Sequence, residues 1–123
     1  MQERKGLMKF QTEKGQISIS ADVFTNITGA AATSCFGVKG MAIRSTTDGL
    51  VHLLRRESMA KGVKVIYNED DSISLELHII VENGVNLMAT SRAIMNTVRY
   101  QVSRDTGVEV KSVDVFVDSM VNG

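Results

Sequence analysis

Apolar and polar residues alternate along much of this chain with a period of two, interrupted by three stretches where the apolar spacing lengthens to that of a helix. The first alternation, Gln16-Ile17-Ser18-Ile19-Ser20 behind Gly15, predicts a half-buried strand. Ahead of it, residues 1–14 are polar and mildly basic, with Arg4, Lys5, Lys9 and Lys14 against Glu3 and Glu13. They read as a flexible lead-in to a single domain over residues 15–121. Ser20 suits a helix N-cap and Asp22 its first turn. Val23, Ile27, Ala30 and Ala31 then follow at helical spacing, with Phe24 and Cys35 flanking the stripe. Gly29-Ala30-Ala31-Ala32 carries little bulk, so a neighbouring element can approach closely, and Gly37 is placed to end the helix.

Gly37-Val38-Lys39-Gly40-Met41-Ala42-Ile43 predicts a short edge strand. Ser45-Thr46-Thr47-Asp48 has capping-box spacing ahead of Leu50, Val51, Leu53 and Leu54, which predicts a second helix closed by Arg55, Arg56 and Glu57. Past Gly62 come the clearest signals. Val63, Val65 and Tyr67 alternate with Lys64, Ile66 and Asn68; Asn68-Glu69-Asp70-Asp71 turns the chain; Ile73, Leu75, Leu77, Ile79 and Val81 alternate back with Ser74, Glu76, His78 and Ile80. Two such runs around a polar turn predict an antiparallel hairpin. Beyond Gly84, Leu87 or Met88, Ser91, Ile94, Met95, Val98 and Val102 keep helical spacing, with Arg92 and Arg99 on the opposite face and Gly107 as the stop. Val108, Val110, Val113, Val115 and Val117 form a last strand, with Asp114 and Asp118 on its other face.

This order predicts an α+β two-layer sandwich: a mixed or mostly antiparallel sheet with about three helices packed on one face. Alternation then sets Val65, Ile79 and Val115 beneath the helices. Ile66, Ile80 and Phe116 fall on the other face, which should be wet. Large apolar groups there call for a cover, and a second copy of the chain or a partner would supply it.

Length and composition narrow the classes. The 123 residues fit one domain, and 43% apolar with 23% charged residues is ordinary for a globular protein. Lys plus Arg equals Asp plus Glu, so no global field draws the chain to nucleic acid or anionic lipid. Low aromatic content weakens any reading based on base stacking. The lone Cys35 cannot form an internal disulfide and suits a reducing compartment, and no apolar run approaches the ~20 residues of a membrane span. A cytoplasmic protein without direct membrane insertion is expected.

Candidate chemistry is sparse. His52 and His78 have no ligand-type residue at metal spacing, so no metal is expected. Cys35 reads as a small hydrophobe. Glu69-Asp70-Asp71 lacks the spacing of a calcium loop and reads as a solvated hairpin tip. No catalytic residue, metal or cofactor emerges, and an enzyme is not expected. One alternative stands beside the interaction surface. Gly37-Val38-Lys39-Gly40 fits the Gly-x-x-Gly loop with which one class of RNA-binding domain clamps a phosphate backbone. Lys39, Arg44, Arg55, Arg56, Lys61 and Lys64 outnumber Asp48 and Glu57 from residue 37 to 64, so Gly37, Lys39, Gly40, Arg55 and Arg56 mark a candidate nucleic-acid patch in a neutral chain.

Several segments together resemble the alkaline shock protein family of Gram-positive envelope-stress proteins. They are Gly15-Gln16-Ile17-Ser18-Ile19-Ser20, Gly29-Ala30-Ala31-Ala32, Gly37-Val38-Lys39-Gly40-Met41, Asp48-Gly49-Leu50, Gly62-Val63-Lys64-Val65 and Ser112-Val113-Asp114-Val115-Phe116-Val117. The likeness runs over residues 14 to 121 and is nearest the short stand-alone members. It implies a small non-enzymatic α+β domain linked to cell-envelope homeostasis under stress, some members of which sit at the membrane through a separate anchor-protein partner. The family offers no agreed ligand residues to carry over.

Overall fold

The structure, a computed structural model, describes residues 7–44 and 49–122. The chain opens with a hairpin, β1 (Leu7–Thr12) against β2 (Gly15–Ser20), with Met8 opposite Ile19 and Phe10 opposite Ile17. Its two-residue turn is closed by the Thr12 hydroxyl, which donates to the Gly15 carbonyl at 2.7 Å. This corrects the expected lead-in from residue 7 onward; residues 1–6 lie outside the described residues. Lys9, Glu13 and Lys14 mask a short alternation in which Met8 enters the core at 1% exposure and Phe10 packs beside it.

Helix α1 (Ala21–Thr33) begins after Ser20, whose extended backbone suits a cap but whose side chain makes no capping bond. Its buried stripe is Phe24, Thr28, Ala31 and Ala32, one position round from the predicted one; Val23 and Ala30 face outward. The largest side chain, Phe24, sets the inward direction, and a polar residue at 28 hid the i, i+4, i+7 pattern. Gly37 comes after the helix end and enters β3 (Val38–Arg44). There the backbone has φ +88, and a Cβ would lie 2.7 Å from Val85 Cγ1, so packing as well as conformation demands glycine.

The predicted helix over Leu50 to Glu57 is absent. Val51–Leu53 forms β4, antiparallel to β3 with Ala42 opposite Leu53, and Arg56–Gly62 winds into a 3-10 helix. The apolar cluster at 50–54 satisfies a strand as readily as one helical turn, and pairing with β3 decides the matter. The capping-box residues 45–48 lie outside the described residues. Among the described residues two α-helices and this 3-10 helix therefore stand where about three helices were expected.

β5 (Val63–Tyr67) and β6 (Ile73–Glu82) form the predicted antiparallel hairpin, Val65 opposite Leu75. Helix α2 (Leu87–Thr106) is capped by the Asn86 side chain, which accepts from the Ala89 amide at 2.9 Å, and ends on left-handed Gly107. It buries Ile94, Val98 and Val102 as its spacing predicts. β7 (Val110–Val121) returns parallel to β6. The five-stranded sheet is thus mixed: β6–β7 is parallel and every other pairing antiparallel.

β6 is the spine. β7 follows one of its edges from Ile73 to Glu82. The other edge is shared end to end: β5 covers Ile73 to Leu77, and β3 covers Ile79 to Val81. The odd-numbered residues of β6 meet Phe24 and Ala31 of α1, and Ile94, Val98 and Val102 of α2, in one core.

Candidate interaction surface

Partners across a ladder share a face, so the pairing lays out the side of the sheet away from the helices row by row. Ile66 and Ser112 flank Ser74; Lys64 and Asp114 flank Glu76; Phe116 lies beside His78; Gly40 and Ser119 flank Ile80. Ile66, Ile80 and Phe116 all lie here, outside the core beneath the helices. They are not contiguous. The charged row Lys64, Glu76, Asp114 separates Ile66 from Phe116. Ile80, on the central strand, is only 4% exposed, whereas Phe116 is 42% exposed.

Phe116 is held in place. Its ring stacks on the His78 imidazole with centroids 4.7 Å apart and planes 12° apart. The imidazole is anchored through Nδ1, 2.8 Å from Asp118 Oδ2. A bulge makes this possible: Val117 pairs with Ile79 and Ser119 with Ile80, which leaves Asp118 as the extra residue. The bulge lets Phe116 and Asp118 both reach His78. Local spacing offers His78 no partner, because the carboxylate lies 40 positions away and the parallel register joins them.

The basic stretch from 37 to 64 divides. Lys39, Gly40 and Arg56 line a groove of about 490 Å³ beside the end of α1, floored by Leu53, Leu54 and Met59. Arg55 sits ahead of the 3-10 helix, exposed and outside that lining, and Gly37 packs against Val85. Arg44, Lys61 and Lys64 lie instead around a hollow of about 280 Å³ on the outer sheet face. Gly37-Val38-Lys39-Gly40 is not a loop, which corrects the phosphate-clamp reading. Val38 is paired with Val81 and Gly40 with Ile80. A Cβ on Gly40 would lie 2.7 Å from Leu53 Cδ1, the far end of an exposed side chain that can shift, so packing fixes Gly37 more firmly than Gly40.

Elsewhere, Cys35 is half-buried against the core, and His52 is exposed on β4. At the hairpin tip Asp70 accepts from Lys111 Nζ at 2.6 Å and from the Ser72 hydroxyl and amide; these contacts, Lys111 first, hold its carboxyl well below the usual carboxylate range. Among the described residues no group of three or more His, Cys, Asp or Glu is placed to hold a metal ion, and no helix is long and apolar enough to cross a membrane.

Comparison with known proteins adds a lineage to this geometry. The model of the alkaline shock protein 23 family, described by a cell envelope-related function, matches residues 9–122. The uncharacterized protein YloU of Bacillus subtilis is 33% identical over 114 residues, spanning 92% of this chain and 94% of its own. The uncharacterized protein Spy1614 of Streptococcus pyogenes serotype M6 is 34% identical over 114 residues, spanning 92% and 93%. Among solved structures the copper form of the MamM CTD superposes on 80% of this chain and 84% of its own, at 16% identity and a TM-score of 0.47.

Proposed function

Because the chain belongs to the alkaline shock protein 23 family, with its cell envelope-related function, we propose that it is a non-catalytic scaffold that self-associates through the outer face of its sheet. In this reading it works in the cytoplasm, and a membrane-anchored protein partner brings it to the envelope under stress. The observation that carries the reading is Phe116: a large apolar side chain, 42% exposed on an uncovered sheet face and held by its stack on His78. A side chain already ordered loses little rotamer freedom when a partner covers it, which favours association. Ile66, on the edge strand of the same face, extends the contact beyond the charged row.

The test is mass in solution by sedimentation, for the native chain and for Ile66→Asp with Phe116→Asp. The reading expects an oligomer that the double substitution dissociates while circular dichroism stays unchanged. A native monomer at all accessible concentrations, or an oligomer indifferent to both substitutions, would sink it. RNA binding through residues 37–40 is not retained, since the backbone there is engaged in β3 and Lys39 and Arg55 do not share a lining.

A further inference from the structure

The shared edge of β6 has a gap. β5 ends its pairing with Val63 opposite Leu77, and β3 begins with Met41 opposite Ile79. At the level of His78 neither strand pairs with β6. β3 swings away so that Ala42, Ile43 and Arg44 pair with β4, and the chain enters β5 from the 3-10 helix through Lys61 and Gly62. The gap opens on the outer sheet face as the 280 Å³ hollow. Its base is backbone and small side chains. Ala42 is fully buried, and a Cβ on Gly62 would come within 3.0 Å of the Ala42 carbonyl oxygen.

The walls are cationic. Among the described residues that line it, Arg44, Lys61 and Lys64 face one carboxylate, Glu76, with Asp114 on the strand beyond. The Arg44 guanidinium is already oriented, because Nη1 donates to the Gly49 carbonyl at 2.7 Å, and among the described residues no other group takes the rest of its donor fork. Lys64 stands directly opposite Glu76 in the ladder, yet the two form no ion pair, and Lys61 has no carboxylate partner among the described residues. His78 also lines the hollow with its Nδ1 taken by Asp118; its Nε2 donates to a phosphoryl oxygen only when the ring carries both protons, so the cations carry the binding. Three cations held around one hollow in a chain of zero net charge form a local concentration that composition conceals.

We propose that this hollow binds a phosphoryl group, with Arg44 gripping it through its planar fork and Lys61 and Lys64 supplying point charges. The volume falls below the ~300–1,000 Å³ of pockets that enclose drug-sized molecules, so one phosphoryl group with its water is the fitting occupant. Free phosphate and a phospholipid headgroup present the same chemistry. The site goes beyond self-association and is separable from it, since the substitutions below leave Ile66 and Phe116 intact.

The experiment follows backbone amide shifts of the full chain during titration with inorganic phosphate, at ionic strength held constant with sodium chloride. Saturable shifts are expected at residues 42–44, 61–64 and 76–78, with a dissociation constant on the order of millimolar. Lys61→Gln with Lys64→Gln should weaken binding about fivefold or more. Glu76→Gln should tighten it, a gain that a misfolded variant would not give. A parallel arm sediments the chain with phosphatidylglycerol–phosphatidylcholine vesicles. Co-sedimentation abolished by the double lysine substitution identifies the headgroup as the source, and phosphate binding without co-sedimentation identifies the free ion. The proposal is overturned by shifts that do not saturate or are spread over all cationic residues. It is equally overturned by phosphate binding indifferent to the three substitutions, or by vesicle binding that survives loss of both lysines.

Discussion

His78 and Asp118, 40 positions apart, meet across two parallel strands with Nδ1 and Oδ2 2.8 Å apart, and the same imidazole carries the ring of Phe116 on its face. A carboxylate accepts from a protonated ring nitrogen, so the neutral imidazole should carry its proton on Nδ1. Nitrogen-15 spectra of the neutral side chain should show that tautomer, and Asp118→Asn should weaken the preference. Asp118→Ala should also cost about 1 kcal/mol of folding stability, below the ~1.5–3 kcal/mol of hydrogen bonds to charged groups, because the imidazole is partly solvated. A native spectrum dominated by the Nε2–H tautomer would contradict the geometry.

Thr28 offers a stability test. Its hydroxyl is buried under α1 and finds no hydrogen-bond partner among the described residues. Valine has nearly the same shape without the polar atom. Thr28→Val should therefore raise stability by about 1 kcal/mol, read as a higher denaturant midpoint at unchanged slope. Destabilisation would mean that the hydroxyl is satisfied. Tyr67, whose phenolic oxygen is likewise buried without a partner and whose pKa burial pushes up, should tolerate replacement by phenylalanine.

Gly37 should resist substitution more than any surface position. Gly37→Ala meets both a left-handed backbone and the Val85 side chain, and a loss of about 2 kcal/mol or more is expected. Adding Val85→Ala relieves the clash but not the backbone strain. The double variant should therefore recover only part of the loss relative to Val85→Ala alone, as thermal unfolding will show.

The Asp70–Lys111 pair predicts a pH effect at the hairpin tip. Asp70's carboxyl has a lowered pKa in the folded state, so its contribution is fully present above the ordinary carboxylate value of about 3.9 and is lost as pH falls through the folded value. Both partners are exposed, so the sharper readout is the titration itself. By carbon-13 shifts Asp70 of the native chain should remain ionised at a pH where the same carboxyl is largely protonated in Lys111→Met. Coincident titration of Asp70 in the native chain and the variant would refute the pair.

Legibility followed the strength of local patterns. The β5–β6 hairpin, α2 and β7 were readable because long strict periods leave one solution, and Asn86 and Gly107 mark the ends of α2. β4 spans three residues and cannot display a period. β1 was hidden by charges on its outer positions, and the stripe of α1 by Thr28. On the candidate surface, alternation correctly assigned Ile66, Ile80 and Phe116 to one face. It could not show the charged row between them, the shielding of Ile80 or the anchoring of Phe116. Those depend on which strands adjoin β6 and on a one-residue bulge, both products of long-range register.

The unequal support of β6 has a mechanical consequence. One flank is bolted along its full length to β7, while the other is held by two separate pieces, β3 with its outboard β4 and the β5 arm, which do not pair with each other. The molecule is therefore a stiff keel carrying two leaves that can breathe one at a time. Amide protons of 38–44 with 51–53, and those of 63–67, should exchange at independent rates, while those bridging β6 and β7 wait for the whole keel to open.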